Sequence, residues 1–168
     1  MKSILKIALL LLMITFQPAC ERDDICLEEI TPKLVIRFYN NEIPGELRSV
    51  FDLKVNIDGV DGDYVNGTIK PSTDSISIPL NVDKNSTRII LTLMGDEAAG
   101  IEDNPDTIAL TYSQEDVFIS RSCGYKTLFN EAEISLFDDD DNWIKKMETR
   151  TEPLQITDEN NAHVKIFH

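Results

Sequence analysis

The stretch Phe51-Asp-Leu-Lys-Val-Asn-Ile57 alternates apolar and polar side chains without interruption. Because successive side chains of a β-strand point to opposite faces, it predicts a half-buried strand. The residues expected on its core face are Phe51, Leu53, Val55 and Ile57. Residues 34–39 and 75–80 alternate in the same way, and Pro79 indicates an edge strand because proline cannot donate a ladder hydrogen bond. Further strands are predicted at 88–94, 107–112, 117–120, 143–149 and 163–167.

Turn-forming residues separate these strands. Asn, Asp, Gly and Pro cluster between them, as in Asp58-Gly59 and Asn66-Gly67. Short strands joined by compact turns predict an all-β fold, an antiparallel β-sandwich of immunoglobulin-like or transthyretin-like Greek-key topology. Residues 33–168 are expected to form it as a single domain, and residues 125–137 are the segment in which a short helix is the alternative.

The N-terminal segment has the pattern of an export signal. Lys2 and Lys6 precede an apolar run at residues 7–16, which is too short to span a membrane as a helix. Residues 1–19 are therefore predicted to be a signal peptide. Ala19-Cys20 resembles the lipobox of bacterial lipoproteins, in which a small residue precedes the acylated cysteine, although Gln17 departs from the usual aliphatic residue. Residues 20–32 would then be a lipid-anchored tether to the membrane.

The chain contains three cysteines, an odd number for an exported protein. If Cys20 carries lipid through its sulfur, Cys26 and Cys123 remain as an even pair. An oxidising envelope favours a disulfide between them, and two free thiols are the alternative. No Cys-x-x-Cys motif is present, so the sequence gives a redox role little support.

The tether is rich in charged residues, and acidic residues outnumber basic ones in the whole chain. Glu21, Arg22, Asp23 and Asp24 resemble the surface-export signal of Bacteroidota lipoproteins, and a solvated spacer is the alternative, so the leaflet stays open. Thirty acidic against sixteen basic residues give a net charge of -14. Such a field repels phosphate backbones, which argues against nucleic acid as a partner.

Few residues have the pattern of a catalytic or metal site. The only imidazoles are His163 and His168, and neither has a visible orienting partner. We therefore expect His163 to lie on the strand surface with a structural or solvated role rather than to act as a general base. Residues 138–142 form an acidic run without the ligand spacing of an EF-hand. The sequence therefore predicts no enzyme activity, no cofactor and no metal site, with calcium at this acidic loop as the minor alternative.

Aromatic residues, the usual platform for sugar rings, make up 7% of the chain. The candidates for glycan contact are Tyr39, Tyr64, Tyr125 and Trp143. A lone tryptophan in a small sandwich also packs well in the core, so the position of Trp143 stays open.

Several segments together resemble one family. They are the stretches 20–26 and 31–39, the Cys123-Gly124 pair, Trp143-Ile144 and the block 162–168. They are similar to the lipoproteins of Bacteroidota grouped as DUF6452, a domain of unknown function. The resemblance implies an envelope lipoprotein with a β-rich domain and implies no activity. We expect an outer-membrane lipoprotein that acts as a structural or protein-interaction module with an envelope partner. A glycan-binding lipoprotein is the alternative, and an enzyme with a carboxylate site is the third.

Overall fold

A computed structural model of the chain describes Cys26 and residues 31–58 and 67–168. Ten strands follow one another in this part of the chain, with one 3-10 turn at Glu97–Ala99. The strands are β1 Leu34–Tyr39, β2 Val50–Asp58, β3 Thr68–Thr73, β4 Ser75–Ile78, β5 Ser86–Leu93, β6 Asn104–Ser120, β7 Gly124–Leu136, β8 Lys146–Thr149, β9 Leu154–Ile156 and β10 Val164–Phe167.

The strands form two sheets. One has four strands in the order β4-β1-β10-β8, and the other has six in the order β3-β2-β5-β6-β7-β9. All pairs are antiparallel except β1 with β10, the first and last strands. Buried aliphatic and aromatic side chains from both sheets form one core. The predicted all-β sandwich is confirmed, and no helix in the described residues is long and apolar enough to cross a membrane.

The alternation of β2 breaks at one residue. Asp52 has a φ of 48°, a left-handed conformation that β-strand residues rarely adopt. Val50 and Leu53 are consequently both buried although they lie three residues apart, and Phe51 between them is 68% exposed. The prediction that Phe51 faces the core is therefore wrong, while Leu53, Val55 and Ile57 do face it.

Two other predictions need correction. Residues 125–137 form no helix, because Gly124–Leu136 is strand β7, paired along most of its length with β6. The segments 107–112 and 117–120 belong to one long strand, with an irregularity between Thr111 and Ser113. Strands β3 and β9 were not predicted, because Pro71 interrupts the first and the second has only three residues.

Strand β1 has the predicted bounds, and β4 is at the edge of its sheet as Pro79 indicated.

Trp143 belongs to the core. It is 7% exposed, and its Nε1 donates to the carbonyl of Leu91 in the six-stranded sheet at 3.1 Å. The single tryptophan is thus unavailable as a sugar platform.

Candidate functional site

Strands β6 and β7 extend beyond the other strands of the six-stranded sheet as far as the structure describes them. The pairing of β6 with β5 ends at Thr111, and the pairing of β7 with β9 begins at Phe129. Between these points residues 113–128 form a two-stranded ribbon, which we call the arm. At about 3.3 Å per residue the arm is roughly 20 Å long.

A disulfide joins the start of the domain to the end of the arm. Cys26 is bonded to Cys123, 97 residues later, with the two Cα atoms 4.9 Å apart. The backbone N–H of Cys123 donates to Ser120 Oγ at 3.1 Å, and Gly124 accommodates the turn with a φ of 74°. Further along, the N–H of Thr127 donates to Thr31 Oγ1 at 3.3 Å. The chain around Cys26 and Thr31 is thereby held against the arm at two points.

The tip of the arm has an unusual surface for so acidic a chain. Phe118 and Tyr125 are 56% and 64% exposed and contact each other edge to face, with ring centroids 5.3 Å apart. Residues 117–130 include no acidic residue, while Arg121 and Lys126 are basic. The tip therefore combines two exposed aromatic rings with a local positive charge.

The outer face of the four-stranded sheet carries a second distinctive surface. The register places Tyr39 beside Phe167 and Phe167 beside Lys146. Lys165 Nζ lies 5.5 Å from the ring centroid of Tyr39, and Lys146 Nζ lies 5.6 Å from that of Phe167, both within range of cation–π attraction. We call this surface the basic strip; its residues are Arg37, Tyr39, Lys146, Lys165 and Phe167.

A shallow recess adjoins the basic strip. It has a volume of about 290 Å³ and lies between β1, β4 and the loop before β10. Its wall is mostly polar, formed by Arg37, Ser75, Asn160, Asn161 and Glu159 among others. Hydroxyl, amide and guanidinium groups of this kind can hydrogen-bond a hydroxylated or anionic ligand.

His163 has a structural position rather than the expected surface position. It is only 1% exposed, and its Nδ1 accepts the backbone N–H of Val35 at 2.9 Å. Nε2 has no partner within hydrogen-bonding geometry. The backbone carbonyl of Asp158 is near enough to raise the pKa of the ring. Burial, followed by the charge of Arg150, lowers the pKa of His163 from its ordinary value of 6.5. The neutral ring thus links β1 to the start of β10.

His168 also packs as a structural ring. It meets Trp143 and Phe38 edge to face, at centroid distances of 5.7 and 6.1 Å. Arg48 Nη1 donates to the carbonyl of His168 at 2.8 Å. Burial lowers the pKa of His168 as well.

The acidic loop at residues 138–142 is organised by its own side chains. Asn142 Oδ1 accepts the N–H of Asp139 at 2.9 Å, and Asp139 Oδ1 accepts that of Asp141 at 3.2 Å. Asp106 Oδ2 accepts the N–H of Ile144 at 2.8 Å, and burial raises the pKa of Asp106. Within the described part of the chain, no group of three or more His, Cys, Asp or Glu residues is arranged to hold a metal ion.

A recess between β7 and β8 contains two carboxylates. Its volume is about 510 Å³, and Glu148 and Glu152 contribute to its wall. A hydrogen bond from Lys146 lowers the pKa of Glu148. A general acid needs the opposite shift to keep its proton near neutral pH, so this glutamate is poorly suited to that task.

Comparison with protein families gives one match. Residues 54–168, more than half of the chain, match the family described as Family of unknown function (DUF6452). The chain belongs to this family. Neither the curated proteins nor the solved structures give a match. The family resemblance in the sequence is thus confirmed, and the function of this DUF6452 chain has to be argued from its own residues.

The structure brings together some of the predicted site residues of the DUF6452 chain. The disulfide between Cys26 and Cys123 is present, and Tyr39 and Tyr125 lie on the basic strip and the arm tip. The remaining ones, Cys20, Glu21, Arg22, Asp23, Asp24 and Tyr64, lie outside the described residues. Phe118, Arg121 and Lys126 were not predicted as site residues. The signal that would have found them is the acid-free run at 117–130 in a chain with thirty acidic residues.

Proposed function

We propose that this chain is a lipid-anchored protein of the bacterial outer membrane, acylated on Cys20, that acts as a non-enzymatic interaction module. The observation that carries the proposal is the use of the cysteines. Cys26 and Cys123 are consumed by the disulfide, which leaves Cys20, directly after an apolar run and Ala19, as the one cysteine for a lipid. The signal peptide at 1–19 and the tether at 20–32 belong to the same proposal.

The basic strip is the surface of this module best suited to a protein partner. Arg37, Lys146 and Lys165 lie on one sheet face, with Glu148 as the acidic neighbour in the register. Lys165 covers the half-buried ring of Tyr39, and Lys146, which is also paired with Glu148, covers the buried ring of Phe167, so an acidic partner can replace water around the cations. A partner with an acidic patch is therefore the kind that this face would bind, in contrast to the overall charge of -14.

Photocrosslinking in native membranes tests the interaction module. A photoreactive residue placed at Ser75, beside the strip on β4, is expected to capture an envelope protein. The same residue placed at Thr107, on β6 of the other sheet, is the matched control and should capture much less of it. Exchanging Lys146 and Lys165 for glutamate should abolish the crosslink from position 75. Equal capture from both positions, or capture that survives the charge reversal, contradicts the proposal.

The charged tether leaves two leaflets open in the same proposal. Glu21, Arg22, Asp23 and Asp24 would direct the protein to the cell surface, and a solvated spacer would leave it facing the periplasm. Proteolysis of whole cells distinguishes the two. Cleavage before lysis indicates the cell surface, whereas cleavage only after lysis indicates the periplasm.

A glycan-binding lipoprotein is the second candidate, and the recess beside the strip is what favours it. Arg37, Asn160 and Asn161 line the recess, and Tyr39 follows Arg37 by two residues along β1. Sugar binding to this recess should be lost in Tyr39→Ala and retained in Tyr125→Ala. The aromatic pair at the arm tip is less suitable as a sugar platform, because its two rings are inclined by 66° and present no common flat face.

A further inference from the structure

We infer that the arm tip docks on the surface of the bilayer that holds the lipid anchor, with Phe118 and Tyr125 at the level of the lipid head groups. The inference rests on the proposed acylation of Cys20. It assigns a membrane contact to a part of the folded domain, in addition to the lipid itself.

The length of the tether restricts where the tip can lie. Cys26 lies six positions after Cys20, and an extended chain covers at most about 3.6 Å per residue, so this part of the tether reaches roughly 22 Å. Cys26 is bonded to Cys123, at the turn of the arm. The tip must therefore stay within roughly 22 Å of the head groups, a limit that does not apply to the rest of the sandwich.

The two exposed rings have the chemistry of a membrane interface. Tyrosine is enriched at the boundary between hydrocarbon and water, where its ring contacts acyl chains and its hydroxyl contacts water. Phe118 adds an apolar ring in edge-to-face contact with Tyr125. Exposed side by side at the end of a projecting ribbon, the pair can enter the head-group layer without unfolding any strand.

The charges near the tip are compatible with this position. Residues 117–130 include no carboxylate that would have to be dehydrated or held near anionic head groups. Arg121 and Lys126 attract such head groups, at about a fivefold gain in affinity for each charge near the surface. Glu21, Asp23 and Asp24 in the tether offset part of this attraction.

Quenching of tryptophan fluorescence measures the depth of the tip. The full-length lipoprotein is purified from membranes and placed in vesicles of phosphatidylglycerol and phosphatidylcholine brominated near the head group. In the parent protein the single Trp143 is buried and gives the background emission. Tyr125→Trp and, independently, Phe118→Trp should each lose about half or more of the added emission in brominated vesicles, because aromatic rings at the interface lie at the level of the head groups. Bromine quenches only a tryptophan that lies close to it. Phe51→Trp is the control, because Phe51 is similarly exposed but lies on β2, outside the arm.

The outcomes separate the docking from the anchor. An intact mass that shows no acyl group on Cys20 overturns the proposed function and the docking together. If the protein is acylated but Tyr125→Trp and Phe118→Trp are quenched no more than the Phe51→Trp control, the docking alone is overturned. If a soluble glycan shields the tryptophan of both tip variants and bromolipid does not quench it, the tip binds sugar. That result would also overturn the docking.

Discussion

Replacing Cys26 and Cys123 by serine is expected to lower the free energy of unfolding by about 4 kcal/mol. The disulfide closes a loop of 97 residues, and cross-linking so long a loop restricts the unfolded chain strongly. The bond is also the covalent link between the N-terminal segment and the arm. Urea denaturation followed by the fluorescence of the buried Trp143 measures the loss.

The matched control is the parent protein treated with a reductant. Because both samples lack only the cross-link, their unfolding midpoints should agree. A serine variant that retains the parent stability within about 1 kcal/mol would show that the disulfide does not restrain the unfolded chain. A variant that loses stability while the reduced parent does not would assign the loss to the serine side chains instead.

The exchange His163→Ala is expected to destabilise the fold by about 3 kcal/mol. It removes a buried ring and leaves the N–H of Val35 without its acceptor. In His163→Asn the amide oxygen occupies nearly the position of Nδ1, so this control should retain most of the stability. Equal losses in the two variants would show that the hydrogen bond to Val35 contributes little.

The same histidine should make stability depend on pH. The fold lowers the pKa of His163 from its ordinary value of 6.5. As the pH falls below that value, the unfolded chain therefore takes up a proton on His163 more readily than the folded protein does. Its contribution is therefore fully present above about pH 6.5 and falls as the pH decreases toward the folded pKa. His168 acts in the same direction, and the raised pKa of Asp106 acts in the opposite one. The difference between the parent and His163→Asn across about pH 5 to 7 isolates His163; parallel curves would contradict its role.

Sequence periodicity predicted the fold where one face of a strand is buried throughout. Strand β1, with Leu34, Ile36 and Phe38 in the core, is the clearest case. The prediction was wrong at Phe51 because a positive φ at Asp52 is a backbone property that alternation cannot reveal. Glu131, with a φ of 50°, has the same effect in β7, where Phe129 and Ala132 are both buried, and this break explains why the segment looked ambiguous.

The features of the candidate surfaces differ in how far they could be predicted from the sequence. The disulfide was predicted from the odd number of cysteines together with the assignment of Cys20 to the lipid. The basic strip could not be predicted, because it depends on the parallel pairing of the first and last strands, which places Tyr39 beside Phe167. The arm depends on how far β6 and β7 continue beyond their neighbours, which is a property of pairing rather than of local composition.

The intact mass of the mature protein purified from membranes tests the lipid anchor and the disulfide in one experiment. We expect a chain that begins at Cys20, carries acyl chains and is two hydrogens lighter than the reduced form because of the disulfide between Cys26 and Cys123. A chain without acyl groups on Cys20, or one that yields two alkylatable thiols without reductant, would contradict the assignment of the three cysteines.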